Sequence, residues 1–117
     1  TGNPLTARYG VVHGYAVAVV RPRVMRFNAA VPEVGAIYAR FAGILKETGV
    51  TPLPLIDWVG DLVAHCHLPR VDVPAADFEV LAQDAARQWT GTFNPRPLQP
   101  ADSVALYRRA FGNDETL

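Results

Sequence analysis

Internal disulfides are excluded at the outset, because the chain has one cysteine, Cys66. That removes the stapled secreted scaffolds and fits a reducing compartment, so a cytoplasmic location is expected. Long apolar runs are also missing. Val11 to Val20 is interrupted by His13 and ends at Arg21, well short of the roughly 20 residues a membrane span needs, and no signal-peptide pattern opens the chain. Neither sign of charge is in excess: lysine plus arginine and aspartate plus glutamate number 11 each. This balance leaves no electrostatic footprint for nucleic acid or an anionic membrane. The cluster Arg21, Arg23 and Arg26 is local and reads as a solvated helix face. No glycine-rich dinucleotide or phosphate loop occurs, and the one serine, Ser103, suggests no serine–histidine nucleophile. An initiator methionine is absent too. Thr1-Gly2-Asn3-Pro4 reads like the interior of a longer protein.

What remains is a globular composition, half apolar and 19% charged over 117 residues, enough for one domain. Its periodicity is helical almost throughout, and the expected fold class is all-α with about five helices. Residues 13–27 place Ala16, Val17, Val20, Val24 and Phe27 at helical spacing, with Pro22 demanding a kink or a break. Pro32-Glu33 opens a helix that sets Val34, Ile37, Tyr38, Phe41, Ile44 and Leu45 on one face and stops at Gly49. A third helix is expected over about 53–66, with Leu55, Ile56, Val59, Leu62 and Val63 inward, ended by Leu68-Pro69. A fourth starts near Val73-Pro74, with Asp77 and Glu79 early and Phe78, Leu81, Ala82, Ala85 and Trp89 towards a core. The segment from Thr90 to Pro100 is a proline- and glycine-rich connector. A fifth helix runs from about Pro100 to Ala110, closed by Gly112-Asn113. Strand signals are weak, even in the β-branched stretch Val17 to Val20.

His13 is the residue with most to say. Alone, a histidine beside apolar residues is an ordinary core or surface side chain. Glycine directly after it at a helix start, however, leaves the imidazole room to project, and a metal needs one ring nitrogen free of a proton. His65-Cys66-His67 offers zinc-type donors, but successive helical positions diverge and no second cluster completes a set. Asp57 and Asp61, spaced i and i+4, read as exposed surface rather than acid–base chemistry.

The stretch Asn3-Pro4-Leu5-Thr6-Ala7-Arg8-Tyr9-Gly10-Val11-Val12-His13-Gly14 resembles the segment carrying the last metal histidine of iron-containing (group III) alcohol dehydrogenases. Arg21-Pro22-Arg23-Val24-Met25-Arg26-Phe27-Asn28-Ala29-Ala30-Val31-Pro32-Glu33 continues the likeness. Leu62 to Pro69 is similar to that family's helix ending in a leucine–proline turn. Phe93-Asn94-Pro95-Arg96-Pro97, followed by Leu106-Tyr107-Arg108-Arg109-Ala110-Phe111, resembles its C-terminal signature. The resemblance spans essentially the whole chain, in order, and implies part of the multi-helical domain of the dehydroquinate-synthase-like, iron alcohol dehydrogenase type.

It further implies hydride transfer with NAD(P), interconverting a small alcohol and its aldehyde or ketone, with Fe²⁺ or Zn²⁺ held by an aspartate and three histidines. His13 matches the final metal histidine; the other ligands would lie upstream of Thr1, in a missing N-terminal part or a partner chain, and family members are often homodimers. The resemblance likewise implies that the family's N-terminal nucleotide-binding domain is absent from residues 1–117, which would be a partial C-terminal helical domain. Asn3 falls near the metal, where many members have a non-ligating histidine. Arg23 stands where a histidine is common. Trp89 and Thr90 fall where the substrate pocket is lined, with an ordinary core role for Trp89 as the alternative. Asn94 and Arg96 would shape and anchor the C-terminal turn. Taken alone, the chain would be inactive as a dehydrogenase and would expose an apolar patch around Val11 to Val20. Two other readings stand beside this: a stand-alone helical binding or assembly module derived from the family, and an unrelated helical protein that binds no metal.

Overall fold

The computed structural model describes residues 2–112, the side chain of Trp89 apart, and those residues form helices and turns with no strand among them. Helix α1 spans Gly2–Tyr9 and α2 spans His13–Ala29. Helix α3 covers Pro32–Glu47, α4 Leu55–His65, α5 Phe78–Ala86 and α6 Pro100–Phe111. Short 3₁₀ turns at Ala75–Asp77 and Trp89–Phe93 lead into α5 and out towards α6. The all-α expectation holds, and α1 is the helix that periodicity did not reveal. Eight residues are too short to display an apolar stripe, and the helix is held instead by burial of Gly2, Pro4 and Leu5.

Local chemistry explains the boundaries. Pro32 occupies the first turn of α3 with Glu33 beside it, and Gly49 in the left-handed region (φ +74°) follows its end, as the helix-start and helix-stop residues imply. The backbone N–H of Gln99 donates to Asp102 Oδ2 at 2.9 Å, closing the start of α6, which satisfies an otherwise orphaned donor. Pro22 does not break α2, which runs unbroken through it. The pyrrolidine ring has no N–H to offer the carbonyl of Ala18; one rung on, the Arg23 guanidinium donates to Val19 O at 3.0 Å. Asn113, expected to help close α6, lies outside the described residues.

The core gathers α1, α2, α5 and α6. Leu5, Ala16, Val20, Val73, Phe78, Leu81, Ala82 and Tyr107 form one buried cluster, with the Phe78 and Tyr107 rings stacked at 6.4 Å between centroids. Helices α3 and α4 pack beside α2 and contribute little to this core. Only Val34 of α3 is buried, and no residue of α4 is. The apolar face of α3 is largely open: Ile37, Phe41 and Ile44 are 47%, 53% and 52% exposed, and Leu62 of α4, expected inward, is exposed too. The apolar patch expected around Val11 to Val20 is smaller than anticipated. Val12 is exposed, but Ala16 and Val20 are in the core. Periodicity showed a one-sided face; it carried no information on whether these residues supply the other side.

Candidate functional site

An open cleft of about 750 Å³ brings together residues from three separate segments: Asn3 in α1, His13 at the first position of α2, and Thr90 in the 3₁₀ turn after α5. All three are exposed. Trp89 belongs to the same turn, but its side chain lies outside the described part of the structure. Glycines make the approach of α1 to α2 possible. A Cβ on Gly2 would meet Val17 Cγ2 at 3.3 Å, so the first turn of α1 lies directly against α2. Gly10, at φ +60°, reverses the chain between the helices, a conformation that side chains with a Cβ rarely adopt. Space beside Gly14 is open, leaving the His13 imidazole unobstructed by its neighbour.

The far end of α1 is tied to α5 and the turn before it. Arg8 Nε donates to Asp84 Oδ2 at 2.7 Å, and the Tyr9 hydroxyl donates to the Asp77 carboxylate. Burial first, and then that carboxylate, push the Tyr9 hydroxyl up to about 12. Tyr107, in the core, is raised further, by burial and then by the charge of Asp84. The Arg8 guanidinium is also raised, chiefly by its bond to Asp84.

The connector forming the opposite wall is pinned to α2. Asn28, buried near the end of α2, and Asn94 exchange amide hydrogen bonds at 3.0 and 2.7 Å. Arg96 lies 3.8 Å over the Phe27 ring centroid and donates to Phe27 O at 2.9 Å, a stacked cation that fixes both partners. Asn94 and Arg96 therefore anchor the turn. Gln88, which no sequence motif singles out, also lines the cleft and accepts a hydrogen bond from Asn3 Nδ2 at 3.1 Å. Its signal is purely spatial, since 85 residues separate the pair.

For a metal, the donor set is short. His13 is the one histidine, cysteine, aspartate or glutamate lining the cleft, and no three such side chains converge among the described residues. A protein metal site of this kind takes three or four ligands, so residues 2–112 do not fit a metal by themselves. His65, Cys66 and His67 are exposed and belong to no such group. Arg23 departs from the expected solvated face. It is half-buried, with its Nε unpartnered, and lines a separate cleft of about 300 Å³ between α2 and α4 together with Arg26, Asp57 and Asp61. Burial, then the charge of Arg26, lower its pKa. Asp57 and Asp61 are exposed, with Arg26 at 3.6 Å from Asp57.

Comparison with known proteins gives these positions a context. The model of the Fe-containing alcohol dehydrogenase family, C-terminal, matches residues 2–111. A 1,3-propanediol dehydrogenase of Klebsiella pneumoniae is 31% identical over 117 residues, covering 88% of this chain and 29% of that protein. A phosphonoacetaldehyde reductase of Streptomyces viridochromogenes is 31% identical over 103 residues, covering 81% of this chain and 26% of that protein. The chain thus spans less than a third of the length of these relatives. No solved structure matches it.

Proposed function

Because the chain belongs to the Fe-containing alcohol dehydrogenase family, whose C-terminal helical domain it carries, we propose that it forms one wall of the active site of an oxidoreductase. That enzyme interconverts a small alcohol and its aldehyde or ketone. Bound NAD(P)⁺ would supply the acceptor for a hydride from the alcohol carbon, with the hydroxyl proton released to solvent. One observation carries the reading: α1, the start of α2 and the turn after α5 place Asn3, His13 and Thr90 on a single cleft.

Within that cleft His13 would supply one imidazole to a divalent metal, Fe²⁺ or Zn²⁺, completed by ligands outside residues 2–112; the metal would polarise the alcohol or carbonyl oxygen. Asn3 and Thr90 present neutral polar groups to the substrate, and the Asn28–Asn94 pair keeps the connector wall in place. The two relatives differ in what their names specify, a diol in one and a phosphonate aldehyde in the other.

His13→Ala in the intact protein is expected to lose tightly bound metal and to lower turnover by at least about 100-fold, since removal of a ligand disables the site. Metal analysis and steady-state rates check this. Retention of metal and rate would overturn the ligand assignment. An intact protein with neither metal nor alcohol turnover would instead support the helical assembly module.

A further inference from the structure

Three elements meet at Gln88. Its backbone N–H donates to Ala85 O at 3.1 Å, closing the end of α5, and its backbone carbonyl accepts from Gly91 N–H at 3.0 Å, opening the turn that carries Thr90. Its side-chain carbonyl then reaches α1 and accepts from Asn3 Nδ2. With its backbone held on both sides, Gln88 offers that oxygen from a fixed base. Asn3 is placed differently. Its backbone is seated by the contact of Gly2 with Val17, but its side chain is exposed in the first turn of an eight-residue helix. The ties of α1 through Arg8 to Asp84 and Tyr9 to Asp77 act at the far end of that helix. Without a partner, an exposed asparagine side chain exchanges among rotamers.

We infer that Gln88 is a positioning residue of the cleft, acting through Asn3 by holding its amide in one orientation on the wall shared with His13 and Thr90. The inference rests on the dehydrogenase reading above, in which Asn3 faces the substrate. It adds a residue whose part in turnover passes through another side chain. The bond is exposed, so the water that replaces it makes its net worth to folding small. Its value lies in orientation. A polar group already fixed when substrate arrives needs no further ordering on the way to the transition state.

The test uses the intact protein with NAD(P)H and propanal, 3-hydroxypropanal and phosphonoacetaldehyde, rates being taken on whichever is reduced best. Gln88→Met keeps the length of the side chain and removes the acceptor. It should lower kcat/KM by about fivefold or more, the worth of one good hydrogen bond, with the urea midpoint unchanged. In an Asn3→Ala background the same change should have an effect of about twofold or less, because no amide remains to be held. Nitrogen-15 relaxation of the Asn3 side-chain amide gives a readout independent of turnover. The amide should be ordered in the unaltered protein and in Gln88→Glu, which still accepts, and mobile in Gln88→Met. An equal loss of kcat/KM with and without Asn3 would show that Gln88 meets the substrate itself. Unchanged kcat/KM, or an amide as ordered in Gln88→Met as in the parent, would show that Gln88 holds nothing. Each of these results overturns the inference and leaves the dehydrogenase reading standing. Reduction of none of the aldehydes defeats that reading, and the amide relaxation then decides the inference by itself. If Gln88→Met fails to fold, judged by circular dichroism, Gln88→Ala takes its place with the same expectations.

Discussion

Individual side chains divide sharply into those that hold the core and those that face the cleft. Leu81 is fully buried on α5 in the main cluster. Leu81→Ala should cost about 2–5 kcal/mol, the range for emptying such a site, measured by urea unfolding. Tyr9 makes a different kind of contribution, because its bond to Asp77 requires the phenol to keep its proton. Its folded-state pKa is about 12, above the ordinary value of about 10. A raised pKa means the native state holds the proton more tightly. The associated stability is whole below about pH 10 and is lost as pH climbs through about 12. Tyr107 is shifted in the same direction by burial and adds to the alkaline loss. Tyr9→Phe should therefore be less stable than the parent at neutral pH and lose less on going to high pH. Thermal melts across that range would show it, and parallel pH curves for the two proteins would contradict it.

Among the elements, the α1–α2 hairpin decides the site, since it sets Asn3 near the start of α2. Gly10 turns it with φ +60° and no neighbour within reach of a Cβ. The expected cost of Gly10→Ala is thus backbone strain alone, about 1–2 kcal/mol. Gly14 is the internal control. It sits in the first turn of α2, and an added Cβ meets nothing, so Gly14→Ala should stabilise by up to about 1 kcal/mol. Equal effects at the two glycines would show that the hairpin does not need the left-handed turn.

At the scale of the whole molecule, α3 and α4 stand apart from the core of the other four helices, and Ile37, Phe41 and Ile44 form an exposed apolar row on α3. Exposed rows of this kind promote association. Residues 1–117 produced alone should bind a hydrophobic dye and self-associate, and Phe41→Lys with Ile44→Lys should suppress both, as read by sedimentation. A dye-silent monomer would show that the row is tolerated in water. No helix among the described residues is long and apolar enough to cross a membrane.

The positions of α3 and α6 were written into the sequence, because Pro32, Gly49 and Pro100 act through local backbone geometry and need no distant partner; the helix expected from Val73-Pro74 instead begins at Phe78 after a 3₁₀ turn and ends at Ala86, before Trp89. His13 and Asn3 stood out in the sequence as a motif, and the chain's family could be recognised from that segment. Three things had to wait for the fold. Helix α1 depends on burying Pro4 and Leu5 against the rest of the molecule, Gln88 becomes visible only by meeting Asn3 from 85 positions away, and the outward face of α3 depends on what surrounds it. Periodicity is a property of neighbours along the chain, whereas burial and a binding wall are properties of neighbours in space, so tertiary structure alone decided them.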